Sequence, residues 1–263
     1  IPQPPAPPQK GTLDLLLEQA GDRTRPTRAT AAPPLQVSRA RYDNPAHPGA
    51  LALTVIHLGG VLAGDRYDMR VALGPGAHAS ITTAAATQVY RMPEGEAEQT
   101  LRISLAPGSR LDWLPEPLIL FGGSRFRQRT LVELAPGARL ALLEVLTPGR
   151  LARGECFAFE RYEGRVEISA PGGRLLAAER ALLEPARRPP STPGMFGDTP
   201  VLGSLYLLGD FDAEAAAARL HAREQPALGA TPLPGGCGLL VRLLGPSPSA
   251  VQRLLKEVLS AEF

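Results

Sequence analysis

Residues 132–146 read VELAPGARLALLEVL, an apolar strand-like run on either side of Pro136-Gly137. Proline pre-sets φ for the first centre of a tight turn and glycine supplies the positive φ of the second, so the chain reverses here. The same figure recurs in VALGPGAHASITT (71–83), ISLAPGSRLDWL (103–114) and EISAPGGRLLAAER (167–180). A spacing of about thirty residues between equivalent prolines marks stacked supersecondary units, because one strand-turn-strand unit cannot bury its apolar face alone.

The flanking runs alternate as half-buried strands do. Tyr67, Met69, Val71 and Leu73 fall on one side and Arg66, Asp68 and Arg70 on the other; Leu101, Ile103 and Leu105 oppose Arg102 and Ser104. An opening hairpin is expected around Gly21-Asp22, between an apolar run at 12–18 and the Thr/Arg alternation of 24–30. The predicted fold is mainly β: stacked antiparallel hairpins forming an elongated two-layer or solenoid-like body. Two helices are predicted towards the C-terminus. One follows a capping Asp212 through an alanine run to His221, and the other covers Ser247–Leu259 with Val251, Leu254, Leu255, Val258 and Leu259 on one face. Residues 1–10, with five prolines before Lys10, are expected to be a disordered tail, and 11–263 a single domain.

At 263 residues the chain can bury a sizeable core without disulfide or metal support. Its net charge of +2, with only Lys10 and Lys256 as lysines, excludes a strongly electrostatic nucleic-acid binder. Gly and Pro make up about a fifth of the chain, well above ordinary usage. No apolar run approaches a membrane span, and the first ten residues, which begin at Ile1, lack the pattern of a signal peptide. A cytoplasmic protein without a membrane partner is expected. Cys156 and Cys237 stand far apart with no CxxC, which suggests neither a disulfide scaffold nor a zinc site.

Catalytic motifs are absent. Gly59 and Gly64 have the spacing of a phosphate loop, but Asp65 and Arg66 follow where Lys and Ser/Thr are needed, and an aspartate repels phosphate. Ser124 lacks the glycine frame of a nucleophile elbow. His47, His57, His78 and His221 show no metal-ligand spacing. Arg125, Arg127 and Arg129 share one strand face, either solvated or at an interface. The carboxylates carry more information: Asp65, Glu116, Glu144, Glu155 and Glu179 all lie in or beside apolar stretches, where a charge is costly unless paired, hydrated or bound to a cation. Glu144 shares the alternation face of Leu140 and Leu142. Pairing with arginine and lining of a polar internal passage are both open to these acids, and an Asp65/Glu116 acid–base pair would make the protein a small-molecule hydrolase or lyase.

Taken in order, GTLDLLLEQAGDRTRPTR (11–28), the run from His57 to Arg91, the run from Leu111 to Glu155, the Glu179-Arg180 pair and GLLVRLLG (238–245) resemble the UreD (UreH) urease accessory proteins. The resemblance implies a mainly β maturation factor rather than an enzyme. It implies binding to the urease apoprotein and to UreF, with the GTPase UreG joining through UreF. It also implies delivery of nickel through an internal tunnel, with Asp65, Glu144 and Glu179 matching its acidic positions. His57, Glu116, Glu155, Arg125, Arg127 and Arg129 are further polar or interface candidates. No tightly bound cofactor is implied, only transient Ni²⁺. Spaced carboxylates suit such a cargo, because a closed set of imidazoles or thiolates would hold it too long.

Overall fold

The computed structural model describes residues 7–192, 194–223 and 227–263, so residues 1–6 of the expected tail lie outside the described residues. The chain opens with β1 (Lys10–Ala20), β2 (Arg23–Ala32), β3 (Leu35–Val37) and β4 (Leu51–His57). The repeats follow as β5 (Arg66–Leu73), β6 (His78–Thr83), β7 (Thr87–Val89), β8 (Ala97–Leu105), β9 (Arg110–Trp113), β10 (Leu118–Leu120), β11 (Arg125–Leu134) and β12 (Arg139–Thr147). Then come β13 (Arg161–Ser169), β14 (Leu175–Leu183), β15 (Val201–Leu208), α1 (Ala213–His221), β16 (Leu228–Pro232), β17 (Gly238–Gly245) and α2 (Pro248–Glu262). A seven-stranded sheet runs β14-β13-β11-β8-β5-β1-β2. A larger sheet runs β16-β17-β15-β12-β9-β6-β4-β3, with β10 pairing β12 and β7.

The body is mainly β and solenoid-like, as the repeats predict, but three of the four Pro-Gly turns are not hairpins. Those at Pro75, Pro107 and Pro136 carry the chain from one sheet into the other, and successive repeats pair in parallel: β5 with β8, β8 with β11, β6 with β9, β9 with β12. Alternation cannot distinguish the two outcomes, since both arrangements bury one face of each strand. The corner backbone decides. Ala106 N donates to Leu73 O at 3.0 Å, Gly76 N to Pro107 O at 3.2 Å, Ala135 N to Leu105 O at 3.0 Å and Arg139 N to Ser109 O at 2.9 Å. Each corner closes its own turn, with Ala77 N donating to Gly74 O, Ser109 N to Ala106 O and Ala138 N to Ala135 O at 3.1 Å each, and beyond that is tied to the neighbouring corner rather than to its own returning strand. The small residues after the glycines, Ala77, Ser109 and Ala138, are buried where the corners stack. The fourth turn has a second glycine; Gly172 (φ +85) and Gly173 (φ +84) close a true antiparallel hairpin between β13 and β14. The opening β1–β2 hairpin also forms as expected.

Two hydrophobic layers result. Leu13, Leu15, Met69, Val71, Leu101 and Ile103 of the seven-stranded sheet pack against Leu53, Ile81, Leu111, Leu140 and Leu142 of the larger one. Each such aliphatic side chain contributes about 1.5–3 kcal/mol by leaving water. On the other face of the larger sheet, Ala141, Leu143 and Val145 meet Val251, Leu255 and Val258 of α2. Strand β12 is therefore covered on both sides. The helices start at their predicted caps: Asp212 accepts from Ala215 N at 2.9 Å and Ser247 from Ala250 N at 3.3 Å.

Gly108 occupies the middle corner at φ +69, and a Cβ built there meets nothing nearer than Gly76 N at 3.9 Å. Its requirement is therefore conformational. Gly108→Ala is expected to cost about 1–2 kcal/mol of unfolding free energy in a urea titration. A change within about 0.5 kcal/mol, the range of an ordinary surface substitution, would contradict this account of the corners.

Candidate functional site: a polar band between the sheets

The inner faces are apolar except along one band. Strand β11 turns Phe126, Gln128, Thr130 and Val132 inward by its period of two, and register sets Gln128 beside Gln99 of β8 and Gly164 of β13. Across the gap, Glu144 of β12 stands beside Ser204 of β15, and Ser204 beside Arg242 of β17. Gln128 Nε2 donates to Glu144 Oε1 at 2.7 Å, and Thr130 Oγ1 reaches the same oxygen at 3.5 Å. At the β14 end, Glu179 accepts from the Tyr206 hydroxyl at 2.8 Å and pairs with the Arg242 guanidinium.

Two cavities follow this band. One, of about 70 Å³, is lined by His57, Thr83, Gln99, Glu116 and Glu144 among others; the second, of about 40 Å³, by Glu144, Glu179, Ser204, Tyr206 and Arg242. Glu144, Leu146 and Tyr162 line both, so the two chambers abut at the middle of the band. Each has room for a water or two.

Electrostatics single out Glu144. Burial pushes its carboxyl above the usual range, and the hydrogen bonds from Gln128 and Thr130 and the charge of Arg242 offset this only in part. It makes no ion pair among the described residues. Desolvation also lowers the Arg242 guanidinium, and together with the Glu144 charge it raises the phenols of Tyr162 and Tyr206. Ionising either phenol beside a buried carboxylate would set two negative charges in a low dielectric.

The candidate residues divide by location. Glu144 and Glu179 meet at the smaller chamber, while His57 and Glu116 join Glu144 at the larger. Asp65 lines neither. It is 1% exposed; its Oδ1 accepts from Gln9 N at 2.8 Å, and its Oδ2 from Leu62 N at 2.9 Å and the Tyr67 hydroxyl at 2.7 Å. Glu155 is held by Arg150 at 2.6 Å, which depresses its carboxyl. Arg125, Arg127 and Arg129 lie on the outer face of the seven-stranded sheet. Arg125 pairs with Glu160, and Arg127 with Glu96 at 2.8 Å and Glu98 at 3.0 Å; Arg129 is exposed. Sequence reasoning missed Gln128, Thr130, Tyr162, Ser204 and Arg242. Alternation within RFRQRT already sets Gln128 opposite the three arginines, but its partner lies on a strand that no local pattern names. Among the described residues no three His, Cys, Asp or Glu side chains are grouped to hold a metal.

Removing the Asp65 carboxylate strands the buried Tyr67 hydroxyl and two part-buried backbone N–H groups, so Asp65→Ala should cost about 3 kcal/mol in urea unfolding, and Asp65→Asn less. For Glu144 the sign is opposite. Its raised folded pKa means that the unfolded chain releases this proton more readily, so the penalty is absent below the unfolded carboxyl value and complete above the folded one. Glu144→Gln should therefore raise Tm at neutral pH, and the gain should vanish as pH falls below the ordinary carboxylate range. A gain that grew on acidification would contradict this assignment.

Among known proteins, a family model described as UreD urease accessory protein matches residues 9–262. Urease accessory protein UreD 2 of Streptomyces griseus is 37% identical over 259 residues, covering 93% of this chain and 86% of its own length. Urease accessory protein UreD of Haloarcula marismortui is 36% identical, covering 95% and 85%, and that of Sorangium cellulosum is 34% identical, covering 95% and 80%. Such relatives are accessory proteins, not enzymes, which sets aside the hydrolase or lyase reading of Asp65 and Glu116. No helix among the described residues is long and apolar enough to cross a membrane. A match over nearly the whole length, spanning the stacked corners and the polar band, shows that the chain belongs to the UreD family of urease accessory proteins.

Proposed function

We propose that the protein serves urease maturation in the cytoplasm as a scaffold that conducts Ni²⁺ along the polar band. In this reading it binds the urease apoprotein and UreF, and UreG joins through UreF. One observation carries the nickel path: Glu144 is half-buried between the sheets without an arginine partner among the described residues, on the wall of both chambers. A desolvated carboxylate that two hydrogen bonds satisfy only in part is costly, and a passing divalent cation offsets that cost for as long as it stays.

The chemistry suits passage over storage. Carboxylate, amide and hydroxyl groups bind Ni²⁺ more weakly than a closed set of imidazoles or thiolates, and the chambers leave space for its remaining waters. Glu116 and Glu144 attract the cation into the larger chamber. Arg242 beside Glu179 holds positive charge in the smaller one, so the cation is not trapped there.

Glu144→Leu should fold and bind its partners yet lower urease activation, measured as nickel content and activity, by about tenfold or more, since the band then lacks its carboxylate where the two chambers abut. Activation at the wild-type rate would overturn the passage. The carboxylate must also be ionised to attract a cation, so nickel transfer should fall on acidification at a pH above the ordinary carboxylate range.

A further inference from the structure

His57 carries an unexplained feature. Its Nδ1 lies 2.8 Å from the Gly59 carbonyl oxygen, and a carbonyl only accepts, so Nδ1 holds the proton and the neutral ring keeps its lone pair on Nε2. That Nε2 is buried and has no hydrogen-bond partner among the described residues. A buried acceptor left without a donor costs about 1–3 kcal/mol. The residue lines the larger chamber together with Glu116, whose backbone N–H is fixed by Thr83 Oγ1 at 2.9 Å.

The ring is also held from its other side. Tyr67 packs edge-on against His57 with centroids 4.8 Å apart, and the Tyr67 hydroxyl is anchored on Asp65 at 2.7 Å. Asp65 is in turn fixed by the backbone N–H groups of Gln9 and Leu62. A histidine whose Nδ1–H is given to a backbone carbonyl and whose ring plane is braced has the outer support typical of metal-ligating imidazoles.

We propose that His57 Nε2 is a ligand for the travelling cation at the wall of the larger chamber, and that Tyr67 and Asp65 are positioning residues for its ring. The proposal takes its cargo from the passage reading above. One imidazole with the Glu116 carboxylate and waters makes a weak, open site, which favours a borderline transition-metal dication over Mg²⁺ or Ca²⁺, cations that prefer all-oxygen shells. Asp65 then influences transfer without touching the chamber.

The test is a NiCl₂ titration of the full chain carrying ¹⁵N-labelled histidines, with MgCl₂ in parallel. His57 ring signals should broaden at lower Ni²⁺ than those of His47, His78 or His221, and Mg²⁺ should leave them in place. By calorimetry, His57→Gln should weaken Ni²⁺ binding by about tenfold or more. Tyr67→Phe, which keeps the ring and removes the bond to Asp65, should weaken binding by a smaller factor and loosen the His57 ring in the metal-free spectrum. Broadening that begins at another histidine, or His57→Gln binding Ni²⁺ within about twofold of wild type, would overturn the assignment. The wild-type titration needs no variant to fold. The two readings also fail separately. Broadening at His57 with undiminished activation by Glu144→Leu removes the passage and keeps the ligand, and the reverse pattern removes the ligand alone.

Discussion

Each Pro-Gly corner exchanges backbone hydrogen bonds with the corner beside it, and that exchange sets the register of both sheets at once. A parallel ladder slipped by one residue would turn every inward side chain outward. Because the corners at Pro75, Pro107 and Pro136 lock one above another, the inner positions of β5, β8, β11 and β13 fall into rows, as do those of β6, β9 and β12. The contact between Gln128 and Glu144 is a product of this alignment. The two residues sit on opposite sheets of one repeat, joined through the Pro136 corner, and the corner fixes how far each stands from the turn.

The polar band runs against the economy of the core around it. A sandwich filled with leucine at Gln128, Thr130, Glu144 and Ser204 would gain apolar burial and lose two cavities and a desolvated carboxylate. Two features limit the cost. The band is only two inward positions wide on β11, Gln128 and Thr130, and is bordered there by Phe126 and Val132 and on β12 by Leu142 and Leu146, so the layers on either side stay close-packed. Its groups also satisfy one another in part, Gln128 with Glu144 and Tyr206 with Glu179. Asp65 follows the opposite logic, with three donors on one carboxylate and no space around it.

The sequence was legible where the physics is local. Turn chemistry located all four Pro-Gly reversals, alternation assigned the faces, and Asp212 and Ser247 marked the helix starts. Whether a reversal is a hairpin or a corner was not legible from alternation, although the Pro-Gly-Gly of the fourth repeat against Pro-Gly-Ala or Pro-Gly-Ser in the others is a usable signal. Glu144 stood out because a charge among Leu142, Leu143, Val145 and Leu146 breaks a run. Gln128 and Ser204 did not, because an amide or a hydroxyl in a strand carries no such contrast. Arg242 pairs with a residue 63 positions earlier, a distance that only the folded sheets bring within reach.

Parallel stacking also turns the length of the band into a matter of counting. Its row on the seven-stranded sheet passes from Gln99 through Gln128 and Gly164 to the level of Ala181, one strand per step. At about 4.8 Å between neighbouring strands, three steps span about 14 Å. A tube bored through irregular packing would have to be remade residue by residue to change its reach. Here the unit of change is one rung: gaining or losing a whole repeat would lengthen or shorten the polar row by a single strand spacing and leave every other corner stacked as before.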